Sequence, residues 1–116
     1  DAPCTASGIV RRHPDIRWLR REGDVQQLAA IQGRLLNTLW ALLKPGGRLL
    51  YCTCSVFKAE GQAQLDMFMI NNKNAALLPS PGHLISKNTK NHDKLADNEL
   101  TNHDGFFYAL FEKASP

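Results

Sequence analysis

Pro45-Gly46-Gly47-Arg48-Leu49-Leu50-Tyr51-Cys52-Thr53-Cys54-Ser55 is the stretch on which the fold turns. A Pro-Gly-Gly turn opens it, and residues 49–54 follow as apolar or β-prone side chains with no polar face. A run of that kind predicts a strand covered on both sides, as in a parallel sheet. Upstream, Leu28, Ile31, Leu35, Leu39 and Leu42 recur at a helical period, with Leu36 and Leu43 widening the stripe. Asp24 is expected to cap this helix, with Gln27 at capping-box spacing, while Lys44 suits its negative end and Pro45 stops it. A helix that ends in a glycine turn and feeds a buried strand is one half of a βαβ unit.

Beyond the strand, residues 59–70 predict a second helix with Leu65, Phe68 and Met69 turned inward, ended by Asn71, Asn72, Lys73 and Asn74. Residues 75–78 predict a short strand closed by Pro79, Pro81 and Gly82. Residues 86–103 hold little but Asn, Lys, Asp, His and Thr, which predicts a mobile polar loop or a binding loop. Phe106-Phe107-Tyr108-Ala109-Leu110-Phe111 predicts a last strand that must find a neighbour to bury it. Ahead of the first helix, residues 1–8 read as a loop, and residues 9–21 as short helical turns broken before Pro14. The fold class is therefore α/β, in the order loop, helix, strand, helix, strand, loop, strand. Asp1, already in a loop, is expected just past the carboxyl end of a strand outside the chain, so these residues read as part of something longer.

With 116 residues, 43% hydrophobic and 22% charged, the chain suits one compact domain and excludes collagen-like, mucin-like and wholly disordered classes. No apolar run approaches the roughly 18 residues of a membrane span, and no signal segment opens the chain, so no membrane partner is expected. Three cysteines do not make a disulfide scaffold, and a reducing, cytoplasmic setting is the default expectation. The net charge of +3 is unevenly spread: eight basic and four acidic residues fall in 1–48, six and seven in 49–116. Arg11, Arg12, Arg17, Arg20 and Arg21 are opposed only by Asp15. Planar guanidinium groups so clustered suit a polyanion, whose phosphate oxygens they grip two at a time; a merely solvated loop is the other reading.

Binding sites in open α/β sheets gather outside the carboxyl ends of strands. Two cysteine-bearing loops are expected there: Asp1-Ala2-Pro3-Cys4 and Thr53-Cys54-Ser55. If their strands are adjacent, Cys4 and Cys54 meet at the rim of the sheet. Cys54, with Lys58 and a helix start just beyond it, is a candidate nucleophile, whereas Cys52 lies in the strand proper as an apolar filler. Asp1 suits a turn, or a hydrogen bond to a ring substrate beside the nucleophile. His13, His83, His92 and His103 show no metal-ligand spacing, so no metal is expected. Gly46-Gly47 is a turn and not a phosphate cradle.

These motifs carry a resemblance. Asp-Ala-Pro-Cys-Thr-Ala-Ser-Gly (1–8), Arg-Arg-His-Pro-Asp (11–15), Leu-Lys-Pro-Gly-Gly (43–47), Thr-Cys-Ser-Val (53–56) and Asp-Gly-Phe-Phe-Tyr-Ala (104–109) occur in the order found in the carboxyl-terminal part of the Sun/Fmu family of RNA cytosine-5 methyltransferases. The chain most resembles the bacterial members that act on 16S ribosomal RNA. The resemblance covers nearly all the chain, with residues 83–102 the least characteristic. It implies a partial catalytic domain over 1–116, of a Rossmann-like AdoMet-dependent fold whose strands are ordered 3-2-1-4-5-7-6 with strand 7 antiparallel. This chain would hold strands 5, 6 and 7 with flanking helices.

The resemblance also implies roles. Cys54 would be the nucleophile that adds to cytosine C6, Cys4 would help release the methylated product, and Asp1 would contact the target base and border the S-adenosyl-L-methionine site. Arg11, Arg12, Arg17, Arg20 and Arg21 would help hold ribosomal RNA, with the base out of its stack. Two departures stand out. The family's glycine-rich AdoMet loop and its acidic ribose-binding residue lie ahead of the position of Asp1, so the chain by itself is expected to bind AdoMet poorly and to be inactive. Thr5-Ala6 stands where Ser-Gly commonly follows Pro-Cys. A non-catalytic RNA-binding or assembly module is the alternative. A dithiol redox protein is disfavoured by the single residue between Cys52 and Cys54. Uncovered apolar sheet edges predict self-association.

Overall fold

The structure, a computed structural model, describes residues 1–9, 13, 15, 21–84 and 105–115. The expected mobile loop at 86–103 and the arginines Arg11, Arg12, Arg17 and Arg20 lie outside the described residues.

The elements are α1 (Glu22–Leu42), β1 (Arg48–Thr53), α2 (Gln62–Asn71), β2 (Ala75–Leu84) and β3 (Phe106–Lys113), with short 3-10 turns at Ser7–Ile9 and Lys58–Glu60. The strands form one sheet in the order β1-β3-β2, and β3 is antiparallel to both neighbours. β1 and β2 consequently run in the same direction with the last strand between them. The phenylalanine-rich run thus finds neighbours on both sides. Phe107, Ala109 and Phe111 alternate onto one face and are fully buried there.

That face meets Leu36 and Trp40 of α1 and Leu65 and Phe68 of α2. Trp40 stands edge-on to Phe68, with ring centroids 5.1 Å apart, and Phe68 lies 4.7 Å from Phe111. Such pairs add to the area they bury through complementary ring edges and faces. Lys113 ties β3 to α1: its Nζ donates to the carbonyls of Trp40 and Leu43 at 2.9 and 2.8 Å. Lys113 thus closes the carboxyl end of α1, the role expected of Lys44, which is exposed.

Four expectations are corrected. The strand at 49–54 is not covered on both sides among the described residues. Both helices pack on the Tyr51 face, its hydrogen-bonded neighbour is antiparallel, and Leu50 on the other face is 54% exposed. The inward line of α1 is Gln32, Leu36 and Trp40, each four residues from the next; Leu36 is in the expected stripe, but Ile31, Leu35, Leu39 and Leu42 stay at least a third exposed, Leu35 and Leu39 along a groove beside β1. The apolar pattern could not favour a line that begins with a glutamine. Asp24 is not the cap but the third residue of the helix; Arg21 is the cap, and Asp24 Oδ2 accepts its backbone N–H at 2.8 Å. Finally, β2 does not stop at Leu78. It continues to Leu84 past a register shift between Leu78 and Gly82. Pro79 and Pro81 lack N–H groups, which an edge strand tolerates, and Ser80 Oγ stands in as acceptor for Leu110 N–H at 3.3 Å.

Candidate active site

Three stretches far apart in sequence converge at the carboxyl end of β1. The Pro-Cys loop runs alongside the strand: Ala2 N–H donates to Cys52 O at 2.9 Å, and Gly8 N–H to Cys54 O at 2.8 Å. Gly105, just ahead of β3, donates its N–H to Gly8 O at 2.8 Å. Only glycine fits at position 8. A Cβ there would fall 2.0 Å from Gly105 O and 2.8 Å from Cys54 O. The loop then turns through Ala6, whose φ of 59° is left-handed and favours glycine. The alanine is held there against its own preference.

The backbone pairing brings Cys4 Sγ to 3.4 Å from Cys54 Sγ. Cys52, two residues back and inside the strand, lies on the face opposite Tyr51 and Thr53, where Tyr108 is its cross-strand partner. Cys4 and Cys54 thus meet at the end of β1, while Cys52 lies within the strand. The expected electrostatics differ. Burial, then the hydrogen bond and charge of Cys4, and further Glu60, push the Cys54 thiol up to about 11. Lys58 and the following helix do not offset this, so Cys54 rests as a thiol at neutral pH. A nucleophile so placed needs its proton removed as substrate enters.

Beneath the two sulfurs lies a group that sequence reading missed. Glu60 is fully buried, and its carboxylate accepts four hydrogen bonds. Oε1 takes the hydroxyls of Thr5 at 2.6 Å and Ser55 at 2.8 Å, while Oε2 takes Thr5 N–H at 2.9 Å and Gln32 Nε2 at 3.0 Å. Gln32 Nε2 also donates to Pro3 O at 2.8 Å, and Tyr51 OH donates to the Glu60 carbonyl at 2.8 Å. Burial, followed by the Glu60 charge, raises the Tyr51 phenol well above its ordinary range. No local spacing points to Glu60, because its partners lie 5, 28 and 55 residues away. The bond from the Thr5 hydroxyl to Glu60 is one that a serine could also make, so the Thr5 seen in the sequence keeps that donor. Ser7 Oγ lies 3.2 Å from Ser55 Oγ and accepts Val56 N–H at 3.0 Å, joining the loops a second time.

The other candidates are less engaged. Asp1 is exposed and borders a shallow groove with Ala2, Leu35, Leu36, Leu39, Leu49, Leu50 and Tyr51. No hydrogen bond joins its side chain to either cysteine among the described residues. Lined by leucines and one carboxylate, the groove lacks the donors and acceptors that a nucleoside and an amino acid head group demand, so the described residues alone do not build an AdoMet site. Arg21, the one described member of the arginine cluster, is exposed at the start of α1. His83 Nε2 accepts Gln62 N–H at 3.1 Å, and its ring packs 4.6 Å from Phe107. Among the described residues no group of three or more His, Cys, Asp or Glu could hold a metal ion, and no helix is long and apolar enough to cross a membrane.

Comparison with known proteins places this geometry. The family described as 16S rRNA methyltransferase RsmB/F matches residues 1–112. Ribosomal RNA small subunit methyltransferase B of Salmonella arizonae is 45% identical over 116 residues, and that of Pasteurella multocida 43% over 113. Each match covers 97% of this chain but 25% of the relative, so the chain spans about a quarter of their length. Among solved structures, PH0851 superposes with a TM-score of 0.79 at 37% identity, covering 97% of this chain and 25% of that one. A methyltransferase homolog protein from Pyrococcus horikoshii gives 0.70 at 29%, covering 97% and 37%.

Proposed function

The chain belongs to the 16S rRNA methyltransferase RsmB/F family, and from that premise we propose that it forms the cysteine wall of an AdoMet-dependent ribosomal RNA cytosine-5 methyltransferase. The observation that carries the reading is the 3.4 Å approach of Cys4 to Cys54 at the end of β1. We read the sheet as the last three strands of a Rossmann-like sheet, in the order 5-7-6 with 7 antiparallel. The edge of β1 away from β3, where Ala2 N–H meets Cys52 O, would receive a parallel strand.

Cytosine C5 is a weak nucleophile. Addition of the Cys54 thiolate to C6 breaks the C5–C6 double bond and places its electron pair on C5. A carboxyl group at N3, the role the resemblance gives to Asp1, stabilises that electron shift by sharing a proton with the ring. AdoMet supplies the methyl group when bound, at a loop that the resemblance puts ahead of the position of Asp1. A base then takes the C5 proton, the double bond re-forms, and Cys54 leaves as thiolate. Cys4, in contact with Cys54, is placed to assist that departure by donating a hydrogen bond from its thiol to the departing thiolate. The guanidinium groups of Arg11, Arg12, Arg17, Arg20 and Arg21 would grip the RNA backbone while the base is extruded. Three free cysteines fit a reducing, cytoplasmic setting.

RNA carrying 5-fluorocytidine tests the reading, because fluorine at C5 leaves no proton to remove and halts the cycle with the base still attached. Incubation of the full-length protein with such RNA and AdoMet should yield a covalent complex whose peptide map places the nucleotide on Cys54. Attachment at Cys4 or Cys52, or no complex at all, would contradict the proposal.

A further inference from the structure

We propose that Glu60 is a positioning residue that clamps the Pro-Cys loop to the Thr-Cys-Ser loop and so holds Cys4 and Cys54 at working distance. This rests on the reading above that the two cysteines act in turn. The pattern of its bonds is specific: Thr5 and Ser55 are the residues that directly follow the two cysteines, and one oxygen, Oε1, accepts both hydroxyls. The second oxygen binds the Thr5 backbone and, through Gln32, the Pro3 carbonyl and α1. A fully buried carboxylate is costly unless its lone pairs are filled, and here donors from three separate segments fill them. Among the described residues no lysine or arginine pairs with it, so the group is held by hydrogen bonds and not by a counter-charge. Removing it would leave Thr5 N–H and two hydroxyls without their shared acceptor, and the loops would lose their common anchor.

Span and charge can be separated. In Glu60→Gln the amide oxygen can accept from Thr5 N–H and Gln32 while its NH2 donates to the two hydroxyl oxygens, so the span is kept without the charge. Glu60→Asp keeps the charge and loses the reach; Glu60→Ala loses both. The distance between the sulfurs is read without substrate, by the rate at which diamide closes a Cys4–Cys54 disulfide in the full chain. Two thiols give up two electrons and two protons to the oxidant, and the bond needs the sulfurs to close to about 2.05 Å. Dividing by the rate of Cys54 alkylation in the same variant removes changes in thiol reactivity, and a cooperative thermal melt by circular dichroism confirms that each variant is folded.

The ratio should stay within about threefold of the parent chain in Glu60→Gln and fall by about tenfold or more in Glu60→Ala and Glu60→Asp, since intramolecular rates are steep in distance and orientation. If Glu60→Ala does not fold, Glu60→Asp carries the comparison. Parent-like closure in folded Ala and Asp variants, or a Gln variant as slow as Asp, would overturn the clamp. In the full-length protein the same order should appear in kcat, with KM for RNA unmoved. The methyl-transfer reading is tested separately by Cys54→Ala, whose full activity would remove that reading while leaving the closure result intact.

Discussion

Gly8→Ala puts the convergence of the three segments to the test. The added Cβ would lie 2.0 Å from Gly105 O, 2.6 Å from Gly105 C and 2.8 Å from Cys54 O. All three are backbone atoms, so no side chain can swing away; one segment must retreat by an ångström or more. The bonds from Gly8 N–H to Cys54 O and from Gly105 N–H to Gly8 O, both 2.8 Å, cannot survive that retreat together. One lost bond and one buried N–H left without an acceptor amount to about 3 kcal/mol. For a chain of this length that is a fall in Tm on the order of 10 °C, read by circular dichroism. Gly23→Ala is the matched control: nothing lies within 4 Å of its Cβ in the first turn of α1, and it should gain about 0.5 kcal/mol. A Gly8→Ala chain that melts with the parent would refute the close approach on which the site's geometry rests.

Ala6→Gly should stabilise the chain by about 0.5 kcal/mol, because relief of the left-handed penalty exceeds the glycine entropy cost; chemical denaturation would show a higher midpoint at unchanged slope. The Cys54 thiol should titrate near pH 11 in the folded chain, read by alkylation rate, and move down in Cys4→Ala, which removes the hydrogen bond but leaves burial in place. Since the folded state holds that proton more tightly than the unfolded chain, stability should decline as pH rises from the ordinary thiol range of about 8.5 toward 11. Arg48→Ala should cost less than about 0.5 kcal/mol, since its ion pair with Glu112 at 2.9 Å sits on side chains 64% and 38% exposed; a larger loss in denaturation would show coupling beyond the pair.

What the sequence discloses and what it hides divide along physical lines. α1, β1 and β3 are legible because periodicity reports burial of apolar side chains at fixed intervals. The meeting of Cys4 and Cys54 is also legible as a condition, that the Pro-Cys loop lies beside the end of β1, and the bonds from Ala2 to Cys52 and from Gly8 to Cys54 meet it. The inner line of α1 was hidden because two apolar stripes compete and the winning one starts with Gln32, whose reason for facing inward is a hydrogen bond to Pro3. Prolines at 79 and 81 read as a stop because local rules do not reveal that β2 is an edge strand. Glu60 was hidden most completely: a carboxylate early in a helix normally reads as a solvated first-turn acid, and only the assembled fold brings Thr5, Gln32 and Ser55 around it. The raised thiol of Cys54 follows from the same enclosure and not from its neighbours in sequence.

The division of labour between the two sulfurs is the central claim, and one gel measures it. Full-length protein, as Cys54→Ala, Cys4→Ala and Cys52→Ala variants, is mixed with substrate RNA and AdoMet and run under denaturing conditions, with methyl transfer scored in parallel. The account predicts no transfer and no slow band for Cys54→Ala, a slow protein–RNA band for Cys4→Ala, whose Cys54 adds to the base but cannot leave, and near-parent behaviour for Cys52→Ala. A slow band with Cys54→Ala and none with Cys4→Ala would contradict it.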